Sequence, residues 1–273
     1  MKTNYSSRSC RSRSVIVLLA LTLSAANVAS HHSALPDGVT PVAATWLWGH
    51  HLIPDTITRD GSPYVFAYPH KDPARIIDPP WTEVAATHVK AGAKAPAVLF
   101  LHGCSGLIRG AMGYRILLMT EGYAVFEPDA FARPGYSCQG SSLEMRREEL
   151  AYALERIRKL PWIDQERIVL MGNSQGARTV ARWDGPGFAA HIIVAGKCSW
   201  DTEKKRSLPR APDGVPVLAV VGAKDELYGA TPCTVERKVG GSRSIVIPDG
   251  SHDIMGHSEL KQAVTTFLRA CCR

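Results

Sequence analysis

The chain has 273 residues, 45% of them hydrophobic and 21% charged, with 23 Gly and 18 Pro. Collagen-like and low-complexity readings are excluded, and the length suits a single α/β domain. The formal charge of +7 is concentrated at the start, where residues 1–30 hold Lys2, Arg8, Arg11 and Arg13 and no acid. Setting those four aside leaves 28 basic against 25 acidic residues, a balance of +3. The electrostatic case for a nucleic-acid partner goes with them.

Residues 1–30 read as a secretory signal peptide. A basic stretch runs to Arg13, and Val15–Leu23 is apolar except for Thr22. Small residues follow, with Val28-Ala29-Ser30 or Ser24-Ala25-Ala26 meeting the small-x-small cleavage rule. The apolar run is far short of the roughly 20 residues a membrane span needs. The expectation is an exported protein, periplasmic or secreted, with no stable span after cleavage. Cysteine usage agrees: Cys10 lies in the signal, which leaves Cys104, Cys138, Cys198, Cys233, Cys271 and Cys272, an even number suited to an oxidising compartment. No Cys-x-x-Cys pair occurs, so zinc-ribbon and thioredoxin signatures are missing. In the doublets His31-His32 and His50-His51 adjacent side chains point to opposite sides of a strand, and no cluster completes a metal site. No metal or cofactor is expected.

Residues 31–273 show no repeat and no linker, and read as one domain. To about Lys94 the sequence is Pro-rich and irregular, with edge strands expected at Ala44–Trp48 and Tyr64–Tyr68. From Ala95 onward short apolar runs alternate with amphipathic stretches. The runs are Ala97–Leu101, Ala124–Glu127, Ile168–Met171, His191–Ala195, Val217–Val221 and Ser244–Ile247. Runs of this kind mark strands buried on both faces, as in a parallel sheet. Between them, Leu143, Leu150, Leu154 and Ile157 fall on one helical face with Glu155 and Lys159 paired on the other, and Pro161 ends that helix. A last helix is expected over Ser258–Leu268 with Ser258 as its N-cap. The alternation predicts an open α/β sheet whose ligands gather at the carboxyl ends of its strands.

Three segments that carry chemistry each follow a predicted strand. Gly172-Asn173-Ser174-Gln175-Gly176 is a G-x-S-x-G between a strand and a helix beginning over Ala177–Arg182, the context in which a serine stands on a sharp turn above the sheet edge. A neutral serine hydroxyl needs a base with a pKa near 7, and His252, in Gly250-Ser251-His252-Asp253, is the candidate; His257 ranks second. Asp225, four residues past the Val217–Val221 run, is the candidate to orient the imidazole, with Glu226 as the neighbouring alternative. Serine, acid and histidine follow in the order 174, 225, 252. A fourth segment, Leu101-His102-Gly103-Cys104-Ser105-Gly106, suits an oxyanion-binding turn. Its donors are expected to be the backbone N–H groups of Gln175 and of Cys104, preferred over Ser105. His102 reads as a structural residue that ties this turn down.

These segments, H-G-C-S-G, G-N-S-Q-G and the D and S-H-D sites, resemble the α/β-hydrolase superfamily, and are similar to exported members of its dienelactone-hydrolase-like branch over about residues 95–270. The resemblance implies an eight-stranded, mostly parallel sheet and hydrolysis of a small-molecule carboxylic ester through an acyl-enzyme. Dienelactone hydrolases proper carry cysteine where this chain has Ser174, so their lactone substrate is not carried over. The superfamily's sheet order also implies disulfides Cys104–Cys138 and Cys198–Cys233, since the strands before each pair are neighbours. Cys271 and Cys272 are left to stay free or to pair between chains. Other readings are a peptidase or thioesterase with the same triad, and a secreted binding protein on an inactive scaffold. Pocket walls are expected from Phe131–Gln139 and Trp200–Ala211, with Trp200, Tyr136 and Phe131 as candidate acyl-pocket aromatics.

Overall fold

Strands that read as unbroken apolar runs become the interior of an eight-stranded sheet. The computed structural model describes residues 35–67, 81–107, 112–138, 142–201 and 206–272. The expected signal peptide and the His31-His32 doublet lie outside the described residues. In chain order the elements are α1 (Pro41–Leu47), β1 (His50–Ile53), β2 (Tyr64–Ala67), α2 (Trp81–His88), β3 (Ala95–Leu101), α3 (Met112–Thr120), β4 (Ala124–Glu127), α4 (Ser142–Arg158), β5 (Ile163–Asn173), α5 (Gln175–Arg182), β6 (Ala190–Val194), β7 (Ser199–Asp201), β8 (Arg206–Leu208), β9 (Val217–Gly222), β10 (Arg243–Ile247) and α6 (Ser258–Cys271).

The main sheet runs β10-β9-β6-β5-β3-β4-β1-β2. All its pairings are parallel except those of β1, which is antiparallel to both β4 and β2. It is an eight-stranded, mostly parallel sheet, as the resemblance implied. Burial explains the ranking of the strands. β4, β6 and β9 are buried along their whole length, whereas the edge strands β2 and β10 alternate, because only one of their faces meets a helix. Period-two alternation splits each inner strand between two cores. Leu99, Leu101 and Leu170 pack with α4 and α5 residues Leu150, Ile157 and Val180. Val98, Phe100 and Met171 pack with Leu118, Leu260 and Phe267 from α3 and α6. Among the described residues no helix is long and apolar enough to cross a membrane.

Two expectations are corrected here. Ala44–Trp48 is not an edge strand: Thr40 caps α1 by accepting from the Ala43 N–H at 3.2 Å, and Pro41 opens the helix, where its missing N–H costs nothing. The N-cap of α6 is His257, whose Nδ1 accepts from the Glu259 N–H at 3.4 Å, and Ser258 is the first helical residue. His51 lies in β1, fully buried, its Nε2 bonded to the Trp46 carbonyl at 2.8 Å, and burial pushes its pKa down to about 3.

The Cys104–Cys138 and Cys198–Cys233 pairs are bonded, with Cα–Cα separations of 5.7 and 5.3 Å. Cys271 and Cys272 are bonded to each other, so neither stays free.

One buried ion pair closes the far end of β4. Arg115 Nε of α3 donates to Glu127 Oε2 at 2.6 Å, with His50 Nδ1 at 3.8 Å from the same oxygen. Burial opposes the Glu127 charge, but His50 and Arg115 outweigh it and hold the carboxyl below its ordinary value. Replacing Arg115 with Leu removes the nearer partner of that buried charge and should cost about 3–5 kcal/mol in urea unfolding at neutral pH. A carboxyl with a lowered folded pKa contributes stability above its unfolded value and loses it on acidification. The gap between variant and wild type should therefore narrow as pH falls below about 4.5.

Candidate active site

The sheet reverses its direction of growth between β3 and β5. From β3 the chain steps to β4 on one side, then places β5, β6, β9 and β10 on the other. A crevice opens at the carboxyl ends of strands at such a switch point. The turns after β3 and β5 line it, and the turns after β9 and β10 close it.

Ser174 stands between β5 and α5 at φ 53° and ψ −114°, a left-handed backbone that a side chain rarely adopts. The surrounding structure enforces it. The Ser174 N–H donates to the Val194 carbonyl at 2.9 Å, and the Arg178 N–H to the Ser174 carbonyl at 3.1 Å. A Cβ on Gly176 would stand 2.0 Å from the Leu101 oxygen, and one on Gly172 would stand 2.6 Å from the Gly176 carbonyl carbon. Both flanking glycines are there because helix and strands approach too closely for a side chain.

The His252 and Asp225 turns are pressed together in the same way. A Cβ on Gly222 would lie 2.2 Å from the Gly250 oxygen, and the Lys224 N–H donates to that oxygen at 2.8 Å. Asp225 Oδ2 then lies 2.9 Å from His252 Nδ1, and His252 Nε2 lies 2.8 Å from Ser174 Oγ. Asp225 Oδ1 accepts from the Leu227 and Tyr228 N–H groups at 2.9 and 2.8 Å. Burial alone would raise the Asp225 pKa. The Tyr228 N–H, His252 and the Leu227 N–H more than offset it, so the carboxyl is held below its ordinary range. With Asp225 ionised, Nδ1 carries the ring proton and Nε2 is free to accept from the serine hydroxyl. The Tyr228 ring meets the imidazole edge-on at 5.2 Å.

The alternatives weighed in the sequence fall elsewhere. Glu226 accepts from the backbone N–H of His252 at 3.3 Å and not from its ring. His257 is occupied in capping α6.

His102, Gly103, Cys104 and Ser105 line the crevice opposite Ser174, in a cavity of about 170 Å³ that also presents Phe100, Leu227 and Met255. A Cβ on Gly103 would meet the Ser174 Cβ at 3.0 Å, so this turn rests against the serine. Gln175 is the first residue of α5, and its N–H has no partner within the helix. His102 is structural, as expected. Its Nδ1 donates to the Gly103 carbonyl at 2.7 Å, and its Nε2 accepts from the Ala130 N–H at 3.0 Å.

Sequence reasoning missed the group behind this turn. Arg146 is fully buried and donates to the His102 carbonyl from Nη2 at 2.9 Å, while its Nη1 lies 2.9 Å from Glu149 Oε1. Burial pushes the Glu149 carboxyl up despite that partner. A signal was present: Arg146 falls on the same helical face as Leu143, Leu150 and Leu154, where a charge needs a buried partner.

Two of the candidate aromatics, Phe131 and Tyr136, do not line the cavity at Ser174. The Tyr136 hydroxyl is buried and donates to Gln175 Oε1 at 2.6 Å. The Phe131 ring lies over His102 at 5.8 Å and against Tyr136 at 5.1 Å. The Trp200 side chain lies outside what is described. Among the described residues no group of three or more His, Cys, Asp or Glu side chains could hold a metal ion.

No protein-family model and no curated protein matches this chain. Solved structures similar to it include a protein provisionally named a dienelactone hydrolase from Klebsiella pneumoniae, 18% identical over 66% of this chain and 88% of that one, with a TM-score of 0.48. Esterase PE8 is 19% identical, with 66% and 94% covered and a TM-score of 0.47. Est1E from Butyrivibrio proteoclasticus is 16% identical, with 66% and 89% covered and a TM-score of 0.47. Likenesses this distant say nothing of the reaction, which has to be argued from the site.

The glycine geometry makes a direct test. Gly176→Ala drives a methyl group into the Leu101 carbonyl and should abolish soluble folded protein. Gly113→Ala on α3 meets only the end of the flexible Lys261 side chain, at 3.7 Å. It should fold normally or gain up to about 1 kcal/mol, as read by circular dichroism melts.

Proposed function

We propose that the chain is an exported serine hydrolase that cleaves carboxylic esters with short acyl groups. The observation that carries this reading is the continuous hydrogen-bonded line from Asp225 through His252 to Ser174 Oγ, at 2.9 and 2.8 Å. Its serine is raised on a strained turn beside a small cavity. The three bonded cysteine pairs support an oxidising destination, in keeping with the leader read at residues 1–30.

In this mechanism Ser174 Oγ attacks the acyl carbon as its proton passes to His252 Nε2. Asp225 holds the ring in the Nδ1–H tautomer and stabilises the imidazolium. The carbonyl oxygen, now an oxyanion, accepts from the N–H groups of Cys104 and Gln175, with the positive end of α5 beneath it. His252 returns the proton to the departing alcohol. Water, deprotonated by the same imidazole, then releases the acid and restores Ser174.

The cavity sets the acyl group. Its volume of about 170 Å³ is close to that of a cavity that holds one benzene, about 150 Å³. Phe100, Leu227 and Met255 make its walls apolar, and among the described residues its one ionisable wall residue besides the histidines is Asp253. Uncharged short acyl groups fit, and a carboxylate-bearing acyl group would face Asp253.

Ser174→Ala should lower turnover of a p-nitrophenyl acetate substrate roughly a thousandfold or more, because only the oxyanion contacts and binding remain. His252→Ala should behave alike, and His257→Ala should cost far less. An active-serine phosphonate should label wild type and not Ser174→Ala; a wild-type protein left unlabelled would overturn the reading. Across p-nitrophenyl esters, kcat/KM should peak below roughly six acyl carbons, the size such a cavity admits. It should be lower for a hemisuccinate than for a butyrate.

A further inference from the structure

A second cavity, of about 120 Å³, opens between the start of α4 and the end of α5, away from the Ser174 turn. Glu144, Arg147, Thr179, Arg182, Trp183 and Arg210 line it. Leu143 completes the lining, so three of the seven are arginines, and Arg178 stands on the same helix one turn before Arg182. The two nearby acids do not balance them. Asp184 is already held by Arg147, Nη2 to Oδ1 at 2.8 Å, and Glu144 is exposed at the edge. The Arg147 guanidinium also lies 5.3 Å from the centre of the Trp183 ring. Arg182 donates from Nη1 only to the Arg178 carbonyl, at 3.1 Å. Arg210 is anchored through its backbone N–H, which donates to the Ala181 carbonyl at 2.8 Å. Among the described residues neither Arg182 nor Arg210 forms an ion pair with a carboxylate.

Burial lowers the Arg182 pKa, and the charges of Arg178 and Arg210 lower it further, with Tyr228 opposing. Arg178 and Arg210 therefore stand close enough to Arg182 to oppose its charge. The negative end of α5 accommodates one cation there, which leaves the others unaccounted for. Two neutral donors point to the same need. Thr179 is 4% exposed and Trp183 8%, and among the described residues neither the threonine hydroxyl nor the indole N–H has a partner. Buried donors are seldom left so.

We propose that this cavity is a binding site for a small oxyanion, a phosphate or a carboxylate group. Arg182 and Arg210 offer the planar forks that pair with such groups through two hydrogen bonds. Thr179 and Trp183 supply neutral donors, and the arginines exclude cations. At about 30 Å³ for each water displaced, the cavity of about 120 Å³ takes one oxyanion group and not a large ligand. The site does not depend on the reaction at Ser174.

The test is a titration of the full folded protein with sodium phosphate, and separately with sodium acetate, at ionic strength held constant with chloride. It is followed by the indole N–H resonance of Trp183, assigned through Trp183→Phe. A saturable shift with one site per chain is expected, weakened at least tenfold in Arg182→Gln or in Arg210→Gln. The better-binding anion identifies the group the site takes. Arg210 is exposed, and among the described residues its side chain makes no hydrogen bond or ion pair, so that variant keeps the test decisive if Arg182→Gln fails to fold. A Trp183 resonance that neither anion moves beyond the effect of chloride would overturn the proposal. So would binding that survives unchanged in both arginine variants.

Discussion

The Leu101 carbonyl oxygen occupies the space a side chain at position 176 would need, and much of the site follows from that one contact. It lets α5 lie against the end of β3, which pulls the chain through a turn at a single residue, Ser174, between β5 and the helix. The strain in the Ser174 backbone is offset by the helix it starts, the bond to Val194, and the packing of Ala177, Val180 and Ala181 into the sheet. The nucleophile candidate is thus fixed by burial several residues away.

The rest of the site is mounted on the same edge with little freedom. β9 and β10 are parallel neighbours, with Gly222 in register with Ile247, so the turns after them start side by side. Glycine at 222 then allows the two turns to touch, which brings Asp225 within reach of His252. On the other side the His102 imidazole sits between the Gly103 carbonyl and the Ala130 N–H, with the Arg146 guanidinium behind it. A single neutral ring tautomer satisfies both bonds, and the turn facing Ser174 is held by buried polar groups rather than by side chains in solvent.

How much of this was legible depended on whether local pattern or distant contact decided each element. The inner strands β3, β4, β6 and β9 are continuous apolar runs because both faces are covered, and such runs can be read without a fold. The Ser174, Asp225 and His252 segments could be read because each carries its glycines next to the reactive residue. The part before residue 94 could not. Its strands are four residues long, and the apolar run ending at Trp48 suits a strand or a helix equally until Thr40 and Pro41 are weighed as a cap. The directions of Phe131 and Tyr136 were illegible for another reason. They are set by His102 and Gln175, which lie far away in sequence, so composition pointed them into the acyl pocket while tertiary contact turned them away.

The segment from Ala130 to Cys138 touches both halves of the crevice. At one end its backbone binds His102, at the other Cys138 is bonded to Cys104, and between them Tyr136 holds the Gln175 side chain. Loops over a crevice of this kind are the usual place to lengthen or exchange sequence when a new substrate is wanted. Here such a graft would drag the turns on both sides of the serine with it, and would cost rate before it changed preference. Leu227 and Met255 reach the same cavity from turns outside that segment. They are where selection for a differently shaped acyl group has freedom to act.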